Sequence, residues 1–296
     1  MADEYLWLNG AIVRSDEARI SPLDRGLLYG DGLFDTMRAY GGRVHLLDRH
    51  LARLAHGAGL LGIPLPPRGE LADAVRATIT ANAAIDAIVR ITVTRGTGGS
   101  VFDTGRSISP TILIHLRPLL QHQNISRNDD GSRWSPAGEE LITLSARHAA
   151  PEIGVRLKLL SYMTAIFSAP ELREGDVREG LLLTDDGVVA CGSVSNIFCV
   201  TRGGILRTAP LDLGVLPGIT RGRVLELAAK LGIPSMETRF DLGVLLEADE
   251  CFYTNAAREV VPVTALDGMP IGEGVPGPIT LALADAYRAE APDEGL

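Results

Sequence analysis

The chain has 296 residues, 46 % hydrophobic and 22 % charged, with a formal net charge of −9 and a pI near 5.2. That length suffices for two modest domains or one large one, with a sizeable core, and the acidic balance argues against nucleic acid or an anionic membrane surface as a partner. The three cysteines, Cys191, Cys199 and Cys251, form no C-x-x-C pair, so neither a disulfide framework nor a zinc site is expected.

Tyr5–Val13 alternates around Asn9-Gly10, a hairpin signal. Gly26–Tyr40 is glycine-rich and becomes strand-like at Leu33–Tyr40, and Gly41-Gly42 turns it. Apolar residues at helical spacing (Leu47, Leu51, Leu54, Ala58) predict a helix over Leu47–Leu61 that ends at Gly62, and Arg68–Asn82 predicts a second. Ala87–Thr94 and Pro110–Leu116 read as strands flanking the glycine cluster Gly96–Gly99. The polar stretch 118–137 reads as a linker, which gives an N-terminal α/β domain over 1–117 and a C-terminal domain over 138–296.

Beyond it, Leu141–Ser145 and Val155–Leu159 read as strands and Ser161–Glu174 as a helix. Hairpins are expected at Gly180–Ala190 and Ile197–Thr208, a helix at Thr220–Leu231 before Gly232, strands at Asp249–Asn255 and Val260–Leu266, and a terminal helix at Thr280–Ala289. Hairpins outnumber βαβ units, so the fold class is mixed α+β or α/β rather than a Rossmann sheet. No internal repeat is evident. The N-terminus carries no apolar run of signal-peptide type, and no stretch approaches the ~18 apolar residues of a membrane span, so a cytoplasmic location is expected.

Lysine usage is the sharpest chemical clue. There are only two, Lys158 and Lys230. Lys230 ends an amphipathic helix, where a cation suits the dipole and a solvated surface position suffices to explain it. Lys158 lies within the apolar run Val155–Leu160. Burial lowers an amine pKa, which Schiff-base chemistry needs; the alternative is a strand-edge lysine that snorkels.

Other signals are weaker. Leu216-Pro217-Gly218-Ile219-Thr220-Arg221 offers a Gly turn and a Thr cap opening a helix, a shape suited to phosphate but common at helix starts. Arg53 is either a surface arginine or an inward clamp. Arg90 and Arg95 are either carboxylate receptors or solvated strand ends. His45 and His50 could join a site but are more often structural. No P-loop, H-E-x-x-H, G-x-S-x-G or post-strand G-x-G-x-x-G is present.

Taken together, these motifs resemble the class IV aminotransferases, the fold-type IV enzymes of pyridoxal 5′-phosphate (PLP), from Leu8 to about Leu266. Asp24–Thr36 is similar to the family's opening motif, His50-x-x-Arg53-Leu54 to the helix bearing a phosphate arginine, and Val93-Thr94-Arg95-Gly96 to a strand-to-loop motif. Lys158 falls on the Schiff-base position, followed by Leu160-Ser161-Tyr162. Gly192-x-x-Ser195-Asn196-Ile197-Phe198, Leu216–Arg221 and Thr254-Asn255-Ala256-Ala257 resemble three cofactor-binding segments.

The resemblance implies a D-amino acid aminotransferase-like fold of two α/β domains with PLP between them, usually as a homodimer. It implies Lys158 as catalytic base, and Arg53, Tyr162, Cys191, Ser195, Asn196, Leu216, Gly218, Ile219, Thr220, Asn255 and Ala256 around the cofactor. Tyr29, Phe34, Thr36, Arg38, Arg90, Arg95 and Ala257 would face an amino acid or 2-oxo acid substrate. The implied activity is transamination of a branched-chain or D-amino acid. The alternatives are a 4-amino-4-deoxychorismate lyase, and a PLP-binding protein with impaired catalysis. The last arises because Cys191 stands where the family usually has Glu, whose carboxylate keeps the pyridine nitrogen protonated; a neutral thiol is a poorer partner. Asp35 stands where Glu is common, and Ser161 where Asn is common.

Overall fold

The computed structural model describes residues 4–104, 109–119, 138–148 and 157–290. They fall into two compact units, the first built from residues up to 119 together with Leu157–Ser161, the second from 138–148 and 162–290.

The first unit contains β1 (Tyr5–Leu8), β2 (Ala11–Arg14), α1 (Arg25–Tyr29), β3 (Gly32–Tyr40), β4 (Arg43–Val44), α2 (Leu47–Leu61), α3 (Arg68–Ala81), β5 (Ala87–Thr94) and β6 (Thr111–Pro118). Its sheet is antiparallel in the order β2-β1-β6-β5-β3-β4. Asn9 and Gly10 both take positive φ, 48° and 104°, as the two-residue hairpin between β1 and β2 requires. In α2 the buried positions Leu47, Leu51, Leu54 and Ala58 form one stripe, and Gly62 closes it in the left-handed region with its N–H on Ala58 and Gly59 carbonyls. That stripe packs on Leu33, Met37 and Ala39, one face of β3. Gly57 sets the approach of helix to strand, because a Cβ there would lie 3.0 Å from Leu33 Cδ1 and 3.4 Å from Leu157 Cδ2.

Leu157–Leu160 corrects an expectation. Val155 and Arg156 lie outside the described residues, and the remainder of the expected strand contributes a single antiparallel bridge, Leu33↔Leu159. Phe34 N–H donates to the Lys158 carbonyl at 2.9 Å and Leu160 N–H to the Gly32 carbonyl at 3.3 Å. The physical reason is edge availability: β4 pairs only with Ala39 and Tyr40, leaving the Gly32–Phe34 edge for this short segment.

The second unit holds β7 (Glu139–Arg147), α4 (Met163–Glu174), β8 (Gly180–Leu183), β9 (Val189–Gly192), β10 (Asn196–Thr201), β11 (Ile205–Thr208), a 3-10 turn at Leu211–Leu213, α5 (Ile219–Lys230), β12 (Ser235–Glu237), α6 (Leu242–Leu246), β13 (Glu250–Asn255), β14 (Glu259–Leu266), β15 (Met269–Pro270) and α7 (Pro278–Glu290). The sheet runs β12-β11-β10-β13-β14-β7-β8-β9, with β15 on β14. β7 is parallel to both β8 and β14, whereas β8–β9 and β10–β11 are the expected hairpins. Strands β10 and β13 are buried on both faces. Ile197, Cys199, Cys251 and Tyr253 join one core. Phe198, Val200 and Phe252 join the other, with Val224 and Leu227 of α5 and Leu283 of α7. Phe198 and Phe252 are in register and stack with centroids 4.8 Å apart, a geometry worth about 1 kcal/mol beyond the area it buries.

Candidate active site

Two groups of residues carry the chemistry, one in each unit. The first centres on Lys158. Its Nζ sits 4.7 Å from the Phe34 ring centroid, and the Arg90 guanidinium covers the same ring at 3.8 Å. Burial, reinforced by the positive charges of Arg53 and Arg90, brings the Lys158 amine down to about 8 against the opposing pull of Asp35. An amine poised there is partly neutral near physiological pH and can act as nucleophile or base.

Asp35, only 1 % exposed, is the anion of this group. Its carboxylate accepts Arg53 Nε at 2.9 Å, Arg53 Nη2 at 2.8 Å and His50 Nδ1–H at 2.8 Å. Burial alone would raise this carboxyl; Arg53 and His50 overturn that and hold it well below the usual range. The same burial outweighs Asp35 at His50 and keeps the imidazole neutral, so its proton sits on Nδ1. His50 and Arg53 are three residues apart on α2, on the face that meets β3. Arg53 thus points inward, which resolves the alternative left open by the sequence.

Alternation along β3 puts Phe34, Thr36 and Arg38 on the face opposite Asp35, and Thr36 pairs with Arg90, which pairs with His115. Arg38 stacks on Tyr40 at 4.6 Å. Burial, then Arg117 and Arg90, press His115 down to about 4, so Arg38 and Arg90 make this a cationic face without help from the imidazole.

Arg95 corrects an expectation. It is buried, and its guanidinium donates to Asp31 Oδ2 at 2.8 Å, the Leu61 carbonyl at 2.8 Å, and the Gly62 and Thr104 carbonyls at 3.4 Å. Arg25 Nε holds the same Asp31 oxygen at 2.8 Å. Four of its five N–H donors are taken by Asp31 and backbone carbonyls, so Arg95 is a structural strut rather than a substrate receptor. Tyr29 is exposed at the end of α1, with Arg25 5.2 Å from its ring.

The second group surrounds the start of α5. The N-cap is Gly218 rather than Thr220, and no side chain caps the helix; the first intrahelical bond runs from Gly222 N–H to the Gly218 carbonyl at 2.9 Å. The amides of Ile219, Thr220 and Arg221 therefore precede the helical ladder and suit an anion. A Cβ on Gly218 would lie 2.1 Å from Asn196 Oδ1, and Asn196 Nδ2 donates to the Leu216 carbonyl at 3.0 Å, so the loop is shaped by Asn196 against a bare glycine. Thr220 is buried, its Oγ1 3.4 Å from the Tyr287 hydroxyl. Asn255 Oδ1 accepts the Ala257 and Arg258 amides at 3.1 and 2.8 Å, shaping the turn that carries Ala256. Tyr162 is the N-cap residue of α4.

Cys191, in β9, faces His148 Nδ1 with Sγ 3.7 Å away. Burial and then the charge of Glu179 push the thiol up to about 12, so it is neutral. Glu179, itself raised by burial, accepts the Ser193 hydroxyl, the Ser193 amide at 2.7 Å and the Gly180 amide at 3.0 Å. Ser195 returns the chain, its carbonyl taking the Gly192 amide at 2.9 Å. His148 and Glu179 had no signal in the sequence; His50 had one, its spacing from Arg53.

The first unit thus holds a buried amine of lowered basicity beside a fixed arginine, and the second, by itself, an uncapped glycine-opened helix whose first amides suit an anion. The family model "Amino-transferase class IV" matches residues 32–266. A Methanocaldococcus jannaschii protein provisionally assigned as a branched-chain-amino-acid aminotransferase is 36 % identical over 96 % of this chain and 95 % of its own. The aminodeoxychorismate lyase of Bacillus subtilis is 32 % identical over 96 % and 94 %. The crystal structure of Escherichia coli branched-chain amino acid aminotransferase superposes with a TM-score of 0.88 at 28 % identity, covering 99 % of this chain and 96 % of that one. The chain belongs to the class IV aminotransferases and has their fold-type IV architecture.

Proposed function

We propose that this enzyme is a PLP-dependent transaminase that moves an amino group from a branched-chain or D-amino acid to a 2-oxo acid, in the cytoplasm and as a homodimer. The observation that carries the reading is Lys158, the one lysine in apolar surroundings, with its amine lowered to about 8. Each unit by itself supports this reading: in the first, the Lys158 amine can condense with an aldehyde such as that of PLP, and in the second, the amides of Ile219 and Thr220 with the Asn255–Ala256 turn suit a phosphate.

PLP, when bound, supplies an electron sink for the carbon that bears the amino group. Lys158 Nζ takes the proton from that carbon and returns it later as an acid, which a group titrating near neutrality does in both directions. Phe34 lies beside the amine, its ring centroid 4.7 Å from Nζ. By the family resemblance, Arg53, fixed by Asp35, would supply positive charge for the phosphate of PLP and Leu216 would pack on its ring. Ser195 and Asn196 shape the segment beside Cys191. By the same resemblance Arg90, with Arg38 and Thr36, would hold the substrate carboxylate, Tyr29 and Ala257 would face the substrate, and Tyr162 the cofactor.

The absorption spectrum of the PLP-loaded enzyme tests this, read before and after D-alanine, L-leucine, L-glutamate or (R)-1-phenylethylamine with no acceptor present. Conversion of the yellow form to the pyridoxamine form by one of them is expected; persistence with all four defeats the transaminase. The likeness to the lyase supports a second reading, which pyruvate release from aminodeoxychorismate would single out. The neutral Cys191 thiol supports a third, a protein that binds PLP but turns over slowly; on that reading Cys191→Glu raises transamination, and no gain in a folded, PLP-loaded variant counts against it.

A further inference from the structure

The thiol at Cys191 has a partner whose hydrogen-bonding polarity is fixed. His148 lies just past β7, anchored by its own N–H on the Leu183 carbonyl at 2.8 Å. Cys191 lies on β9, the next strand but one from β7, and pairs with Leu182 of the intervening β8, which brings the two side chains together across the end of β8. His148 Nε2 is 3.2 Å from the Leu213 carbonyl. A carbonyl only accepts, so Nε2 carries the proton. Burial keeps the ring neutral even though the Leu213 and Gly214 carbonyls favour its charged form. In a neutral imidazole with the proton on Nε2, Nδ1 is an acceptor, and Nδ1 is the atom that faces Sγ at 3.7 Å. Glu179 acts on Cys191 through its charge, while its Oε1 accepts the Ser193 hydroxyl and the Ser193 and Gly180 amides.

We propose that His148 is a positioning residue whose Nδ1 accepts a hydrogen bond from the Cys191 thiol, the proton staying on sulfur, so that Sγ presents lone pairs rather than a proton to the ring nitrogen of a bound PLP. This rests on the reading that Cys191 stands beside that nitrogen. The Leu213 carbonyl sets the tautomer, the tautomer makes Nδ1 an acceptor, and the acceptor turns the thiol. A thiol so turned has the same acceptor polarity as the carboxylate that the family resemblance implies at this position, without its charge.

The test uses the full chain with and without PLP. In the cofactor-free protein, magnetic resonance of histidine labelled with the spin-active nitrogen isotope is expected to show His148 protonated on Nε2 and bare on Nδ1. The thiol stretch of Cys191 in the Raman spectrum, assigned by its loss in Cys191→Ser, is expected to lie low in the wild type and to rise in His148→Phe. With ring-labelled PLP, the ring-nitrogen resonance is expected to move between wild type and His148→Phe. A proton on Nδ1 overturns the proposal from the wild type alone, so it stays falsifiable if the variant does not fold. A thiol stretch or a ring-nitrogen resonance unchanged by the variant overturns it equally. A chain that shows the expected cofactor-free signals but takes up no PLP defeats the functional reading instead, and with it the destination assigned to the lone pairs.

Discussion

Asp35 grips Arg53 with both carboxylate oxygens, Nε to Oδ2 at 2.9 Å and Nη2 to Oδ1 at 2.8 Å, inside the core that α2 forms with β3. The pair is worth its desolvation cost only while both members remain. Asp35→Asn leaves the arginine charge without its counter-ion and should destabilise the protein by about 3 kcal/mol, measured by urea unfolding. It should also lower the Lys158 amine further, because Asp35 is the group that raises it. A stability loss within experimental error would refute the account.

Lys158 should make stability depend on pH. Its amine titrates at about 8 when folded, against an ordinary value of 10.5, so between those values the folded chain binds fewer protons than the unfolded chain. Stability then rises with pH across that window, and the charged amine costs about 3 kcal/mol below it. Cofactor-free Lys158→Met should be more stable than the cofactor-free wild type at neutral pH and lose that advantage as pH climbs from about 8 to 10.5, and when supplied with PLP it should show no transamination. Parallel stability curves for the two proteins would refute the burial argument.

Gly218→Ala places a Cβ 2.1 Å from Asn196 Oδ1. Asn196 must then leave the Leu216 carbonyl, and the loop that opens α5 shifts. PLP affinity should fall at least about tenfold, the equivalent of one charge-assisted hydrogen bond. Equilibrium PLP titration measures it; unchanged affinity would remove this loop from the phosphate site.

Arg90 and Arg95 should separate cleanly. Arg90→Gln should raise the KM for the amino donor about 10- to 100-fold with little change in melting temperature, since a charged hydrogen bond contributes about 1.5–3 kcal/mol. Arg95→Gln should instead lower stability, because it strips a donor set from Asp31 and three backbone carbonyls. A donor KM raised equally by both variants would contradict the strut role given to Arg95.

Much of this was legible locally. Asn9-Gly10 specified its hairpin because few residues tolerate two successive positive φ values. The spacing of Leu47, Leu51, Leu54 and Ala58 specified α2 and its buried face. The apolar run around Lys158 marked an amine out of water. The start of α5 was placed within a residue, yet its cap was misread, since a threonine near a helix start is as compatible with the first turn as with the cap position.

What the sequence alone determined is therefore what depends on neighbours along the chain: helical and strand periodicity, turns that need a particular backbone region, and a lysine in apolar surroundings. What only the tertiary structure decided is which polar groups meet. Arg53 and Asp35 are 18 residues apart, and His148 and Cys191 43. Each pair is joined by strand register and helix packing, which are set by burial of apolar side chains far from the pair itself. A charged or polar side chain takes its basicity from whatever that packing brings beside it, so the lowered amine of Lys158, the locked Asp35 and the turned thiol of Cys191 exist only in the folded chain.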